Sequence, residues 1–215
     1  MNAKSDTPID LGVPSALAPM TAELLRKLWK LRRDTYAQAH LYKDVRIRVH
    51  RSLTWLSVAE GREASQSDTK LIELWAATGA LFARWSALLA SPLAERESVG
   101  SFARQMLEWD RDGILPIAFE TLRPSVAAMW IDPYLARASA MPIDPTAFLS
   151  ELLERVGLTV QQLALGASTY GGNQNRTAVD RSVLALSLLV PSFLHVMTEH
   201  GYVDDWGPIC SPPRE

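Results

Sequence analysis

The stretch ERVGLTVQQLALGASTYGGNQNR, residues 154–176, decides how this chain is read. Its first half places Val156, Val160 and Leu163 at helical spacing and continues the pattern of Phe148, Leu149, Leu152 and Leu153, so the spacing predicts a helix from about Thr146. Its middle, Gly166–Asn175, holds three glycines and two asparagines and reads as a polar loop. A last helix is expected from about Thr177 to His200, bent at Pro191 because proline removes a helix hydrogen bond. Helix, glycine-rich loop, helix is the unit around which the rest is arranged.

Working outward, Thr21 is placed to cap a first helix carrying Leu24, Leu25, Leu28, Trp29, Leu31 and Tyr36. Val45–Val49 alternates as a strand would, but Val49, Leu53 and Leu56 continue at helical spacing and favour a helix over residues 44–60. After a polar loop at 61–67, Ser67 or Asp68 is the expected cap of an amphipathic helix carrying Leu71, Leu74, Trp75, Leu81, Trp85 and Leu88 and stopped by Ser91-Pro92. Shorter helices are expected around Phe102–Asp110, Ile114–Leu122 and Ser125–Trp130, before a linker marked by Pro133, Pro142 and Pro145. No repeat and no strand pair stands out. The expectation is one all-α domain of five or more helices over residues 20–215, with a basic arm at 20–44, behind an extended lead-in at 1–19.

Composition narrows the function classes. Of the 215 residues 47% are apolar and 21% charged, which predicts a packed core rather than disorder. Seven tryptophans supply large anchors for a core or an interface. Cys210 is alone, so no intrachain disulfide forms, and a reducing compartment is expected. The first ten residues carry no apolar signal segment, and Val183–Met197, interrupted by Ser187, Pro191, Ser192 and His195, reads as too short for a membrane span. A cytoplasmic, soluble protein follows as the expectation. The net charge of −2 gives no global bias toward nucleic acid, yet residues 26–51 hold nine Lys/Arg against two Asp. Interleaved with Trp29, Tyr36 and Tyr42, that arm offers an RNA-contact reading beside the plainer one of a solvated helix face.

The segment Arg51-Ser52-Leu53-Thr54-Trp55-Leu56 with Ala59-Glu60, the pieces Leu74-Trp75 and Ala80-Leu81-Phe82, then Glu154-Arg155, Gln162-Leu163, Gly166, Thr169, Asn175-Arg176 and the tail Asp205-Trp206-Gly207-Pro208 follow one another in an order that resembles bacterial HEPN-domain proteins. The resemblance runs from about Val45 to the end (45–210 as the core match) and implies an HEPN-like helical bundle. In that family many members are metal-independent ribonucleases of toxin–antitoxin or phage-defence systems, in which an arginine, a polar residue and a histidine four to six residues on act across a dimer. At the matching positions stand Val160, Gln161 and Leu165, and a further polar position, often asparagine, is Gly79. Valine and leucine carry no proton or donor, and glutamine does not titrate near neutral pH. The resemblance therefore implies a non-catalytic binding protein: a homodimer, or a heterodimer with an HEPN relative, or an RNA-associated module. Its RNA-contact candidates are Arg26, Lys30, Arg33, Arg46, Arg48, Arg155 and Arg176.

A ribonuclease with a relocated site is the alternative. Arg33-Asp34 followed by His40 fits the same arginine–polar–histidine pattern, although about one such match is expected by chance in a chain of this composition. Arg155, Tyr170 and Arg176 near the loop are further candidates. His195 and His200 lie five apart rather than the four of a helical zinc pair, so with Cys210 they read as a packed histidine and a helix-end cation, and no metal or cofactor is expected. Gly171-Gly172 lacks the context of a phosphate loop, and no GxSxG is present.

Overall fold

Helix α7, Arg176–Glu199, is the axis of the molecule. It is apolar over most of its surface, and in this fold the other helices cover it. Val179, Leu186, Leu189, Val190, Phe193, Leu194 and Val196 are all essentially sealed from water. It packs against each of the other α-helices: α1 (Ala22–Tyr36), α2 (Tyr42–Glu60), α3 (Ser67–Phe82), α4 (Glu95–Trp109), α5 (Ile114–Val126) and α6 (Pro145–Ala164). The computed structural model describes residues 20–36, 42–92, 95–135, 139–167, 169–173, 175–203 and 205–211, and the fold is all-α. The expected lead-in at 1–19 lies outside the described residues. By length and a mean hydropathy of 1.5, α7 could also cross a bilayer, so the sequence-based view of it as too short does not hold, but 61% of that window is packed inside the fold.

Local signals set most boundaries. Thr21 Oγ1 accepts the Leu24 N–H at 3.3 Å and caps α1, and Glu60 Oε1 accepts Ala22 N–H at 2.9 Å, tying the start of α1 to the end of α2. The strand option at 45–49 is gone: Val45, Val49, Leu53, Leu56 and Ala59 form one buried helical stripe. Asp110 caps α5 through Ile114 N and Leu115 N at 3.0 and 2.7 Å. The two short helices expected over 114–130 are one α-helix followed by a 3-10 turn, Ala127–Trp130, which begins just after Pro124 removes a backbone donor. Asp144 caps α6 by accepting Ala147 N–H at 2.8 Å, with Pro145 in the first turn, where its missing N–H is not needed.

Two expectations fail in the same place. Helix α3 stops at Phe82 instead of running to Ser91. Its buried face is Leu71, Leu74, Ala77, Thr78 and Leu81, whereas Leu88 is 94% exposed. Residues 85–92 instead turn back on themselves, with Trp85–Ser86 pairing antiparallel to Ser91–Pro92, a small strand pair the sequence did not suggest. The helix ends there because its last carbonyls find a partner outside the helix, Arg48, which bonds the oxygens of Leu81 and Ala83 at 2.8 and 2.9 Å.

Candidate functional site

The α6–α7 turn is where the resemblance places a site. Val160 faces inward from α6 and is buried; Gln161 is exposed, and Leu165, just past the helix end, is 84% exposed. Tyr170 in the loop is exposed as well. Gly79 sits in the interior of α3, and a Cβ there would meet nothing within 4 Å. The position has room for a side chain and lacks one.

The turn is fastened to the start of α3 by one carboxylate. Asp68, expected as a cap, makes no capping bond; it is buried and accepts Arg176 Nη1 at 2.7 Å, Arg176 Nη2 at 3.1 Å and Gly171 N–H at 2.6 Å. Arg176 also donates to the Gly172 carbonyl from Nε and Nη2, both at 3.1 Å. Burial alone would raise the Asp68 pKa, but the guanidinium, the Gly171 N–H and the charge of Arg176 outweigh it and hold the carboxyl below its ordinary value. The same pairing raises Arg176. Asn175, with φ of 58°, starts α7 in the left-handed region and donates its side-chain amide to Gln162 Oε1 at 2.7 Å. Arg176 is thus committed to holding the turn.

Arg155 is committed too. It is 4% exposed, lies over the Trp130 ring at 4.7 Å, and donates to Met129 O, Glu151 Oε2 and Ser139 Oγ at 3.2, 3.1 and 3.1 Å. Arg48 is the most enclosed of all at 1% exposed. Beyond the α3 carbonyls, its Nη2 donates to Trp206 O, Gly207 O and Pro208 O at 3.2, 3.0 and 2.9 Å. Desolvation, with help from the nearby charge of Arg84, lowers its pKa to about 10. The Asp205–Pro208 tail is therefore an internal clasp: Trp206 is buried, donates to Gly201 O at 2.7 Å, and stands 6.3 Å from the Phe102 ring.

Of the RNA-contact candidates, Arg48 and Arg155 are buried and Arg176 spends most of its donors on Asp68 and the Gly172 carbonyl, so these three are the least available to an outside ligand. Lys30 and Arg46 remain exposed, and Arg26 and Arg33 half-exposed, the Arg33 guanidinium lying 5.8 Å from the Trp29 ring. Of the relocated motif, the Asp34 side chain and His40 lie outside the described residues. A signal for Arg48 existed: it falls on the buried stripe, three residues after Val45 and four before Ser52, while Arg46 falls opposite.

Sequence reasoning also missed a titratable cluster. His195 and His200 each bring Nε2 to the same oxygen, Asp112 Oδ2, at 3.2 and 3.0 Å. The His200 ring foremost, and His195 after it, hold the Asp112 carboxyl below its ordinary value against a partial burial that raises it. Among the described residues no group of three His, Cys, Asp or Glu side chains is arranged to hold a metal ion. Comparison with protein-family models, with curated proteins and with solved structures yields no match.

Proposed function

We propose that this chain is a non-catalytic HEPN-like protein that acts by binding, as a dimer partner or an RNA-associated module in a toxin–antitoxin or phage-defence setting. The observation that carries the reading is the chemistry of the α6–α7 turn. Val160, Gln161, Leu165 and Gly79 supply no group that titrates near neutral pH, and Arg155 and Arg176 are held by internal partners. None of these four positions can provide the general acid–base help that is worth about 10²–10⁴ in rate. What the turn offers instead is contact area, with Leu158, Leu165 and Tyr170 all at least partly open to solvent. Large apolar side chains left exposed beside a polar loop suit a protein partner.

The test is direct. Purified protein incubated with single-stranded RNA leaves it uncut, and expression is tolerated by the host cell. Cutting that disappears in Gln161→Ala would sink the reading.

The competing reading is a metal-independent ribonuclease with a relocated site. The observation in its favour is the meeting of His195 and His200 on Asp112, since imidazoles are the usual proton carriers near neutral pH. That reading requires growth arrest on expression, lost on changing His195 and His200, or on changing Arg33 and His40 if the relocated motif carries the chemistry.

A further inference from the structure

Helix α1 is fixed along one side and open along the other. Ala22 and Leu25 are buried where it packs on α2 and α7. Glu60 holds its first turn through the Ala22 N–H at 2.9 Å, and Arg32 bonds Glu199 at the end of α7, so its orientation is set. The outward stripe is a different surface. At 3.6 residues per turn Leu24, Lys27 and Leu31 fall on one line, with Lys30 beside them. Leu24 is 54% and Leu31 72% exposed, and both lysines are exposed as well. These two leucines contribute little to the core.

Positive charge surrounds the leucines. Lys27 is joined at 2.7 Å to Glu23, one turn back, but an exposed pair of this kind is weak. The charge continues onto α2. The Trp29 and His50 rings meet 5.9 Å apart, and one turn beyond that contact stand Arg33 on α1, half-exposed, and Arg46 on α2, exposed. What the face lacks is equally informative. Single-stranded nucleic acid binds by stacking its bases on rings beside the cations. Over residues 20–33 the one ring is Trp29, which is turned onto His50 and has the Arg33 guanidinium 5.8 Å away. Leucines between lysines suit an acyl boundary instead. The leucines enter the hydrocarbon edge, while the lysine stems lie along it and keep their ammonium groups among the headgroups.

We infer that the outward face of α1 docks on an anionic phospholipid surface, with Leu24 and Leu31 in the acyl boundary and Lys27, Lys30, Arg33 and Arg46 at the headgroup phosphates. Charge complementarity selects this occupant, and the leucines separate it from a bare polyanion. Two leucines anchor weakly by themselves. Each basic side chain near an anionic surface adds about fivefold in partition, so the two kinds of contact act together and the binding is reversible and sensitive to salt. The face shares no residue with the α6–α7 turn, so the inference does not depend on the reading given for that turn: loss of lipid binding leaves RNA cutting and host growth where they were.

The experiment is co-sedimentation of the full chain with vesicles of phosphatidylcholine alone, or of phosphatidylcholine with an equal amount of phosphatidylglycerol. Binding to the mixed vesicles only is expected, falling as salt rises. Lys30→Glu, on the exposed face, weakens it by about tenfold or more, since a favourable charge becomes an unfavourable one. The double change Leu24→Asn and Leu31→Asn keeps every charge and the helical circular dichroism, and weakens vesicle binding by about tenfold or more. No binding to the mixed vesicles, equal binding to the neutral ones, or binding untouched by the leucine change overturns the inference. The last result would assign the face to a polyanion such as RNA, which has no use for the leucines. Should the double variant lose its fold, Leu31→Gln alone is read the same way, with a loss of about fivefold expected.

Discussion

One arginine bonded only to carbonyls and one arginine beside a carboxylate fasten two parts of this molecule, and they work differently. At the tail, Arg48 has five carbonyl bonds and no described carboxylate, and it is 1% exposed. At the α6–α7 turn, Arg176 is paired with the buried Asp68 and keeps 28% of its side chain in solvent. The first arrangement is a clasp that joins α2, the end of α3 and the C-terminal tail at a single buried charge. The second is a fastening on a loop whose outer residues, Leu165 and Tyr170, remain exposed. The clasp buries its charge and holds the fold, while the fastening leaves apolar side chains of its loop open for contact.

The comparison breaks hardest at Arg48. Arg48→Ala orphans five carbonyls, several of them buried, and removing one partner from such a network costs about 3–5 kcal/mol. The expected result is a chain with a large fall in the urea midpoint and a tail open to proteolysis near Trp206. A loss under about 1 kcal/mol would show that the tail is held by Trp206 packing alone. Arg48→Lys, with three donors in place of five, falls between the two.

Next comes the fastening. Asp68→Asn keeps the shape but removes the charge, and a loss of about 1–3 kcal/mol is expected. The pH dependence has a fixed sign. The Asp68 carboxyl lies below its ordinary 3.8 in the folded state, so its contribution is fully present above that value and is lost as pH falls through the lower folded value. Asp112, also held low, adds a contribution of the same sign in the same acid range. Acid unfolding of the wild type therefore begins below about pH 4 in part through these two groups, and Asp68→Asn flattens that limb. An unchanged acid limb in Asp68→Asn would count against the fastening.

What was legible in the sequence follows the range of the interaction. Helices α1, α2, α6 and α7 declare themselves because spacing and caps such as Thr21 are local signals. The end of α3 does not, because the group that receives its carbonyls is Arg48, on another helix. Asp68 reads as a cap from its neighbours, while its partner Arg176 lies 108 residues away. Charge counts misled for the same reason: a basic window records arginines without their direction, and Arg46 and Arg48 go opposite ways from one helix. The His195–Asp112–His200 meeting is likewise beyond local reading, since the carboxylate belongs to a turn 83 residues earlier.

Gly79 sharpens the comparison from the side of the open end. It lies in the helix interior, where a Cβ would meet nothing within 4 Å, so Gly79→Ala adds no clash and removes freedom from the unfolded chain. A gain of about 0.5–1 kcal/mol is expected, read as a higher thermal midpoint. Gly79→Asn should be tolerated also, with a smaller gain, since asparagine is a poorer helix former than alanine. A clear loss in both would mean that the space beside α3 is needed by something that enters it.

The smallest expected effect on stability falls on the residue that matters most to the proposed contact role. Leu165 is 84% exposed, so little apolar area leaves water there when the isolated chain folds, and Leu165→Asp is expected to change stability by no more than about 0.5 kcal/mol. The same change places a charge in the exposed surface beside Tyr170. If that surface is an interface, self-association measured by light scattering across a concentration series falls while the thermal midpoint of the dilute protein stays put. The combination is diagnostic, because a residue needed for packing would shift the midpoint and a residue of no consequence would shift neither. Unchanged association in Leu165→Asp, with Tyr170→Asp equally silent, removes the α6–α7 turn as the contact surface and leaves the clasped end as the place to look.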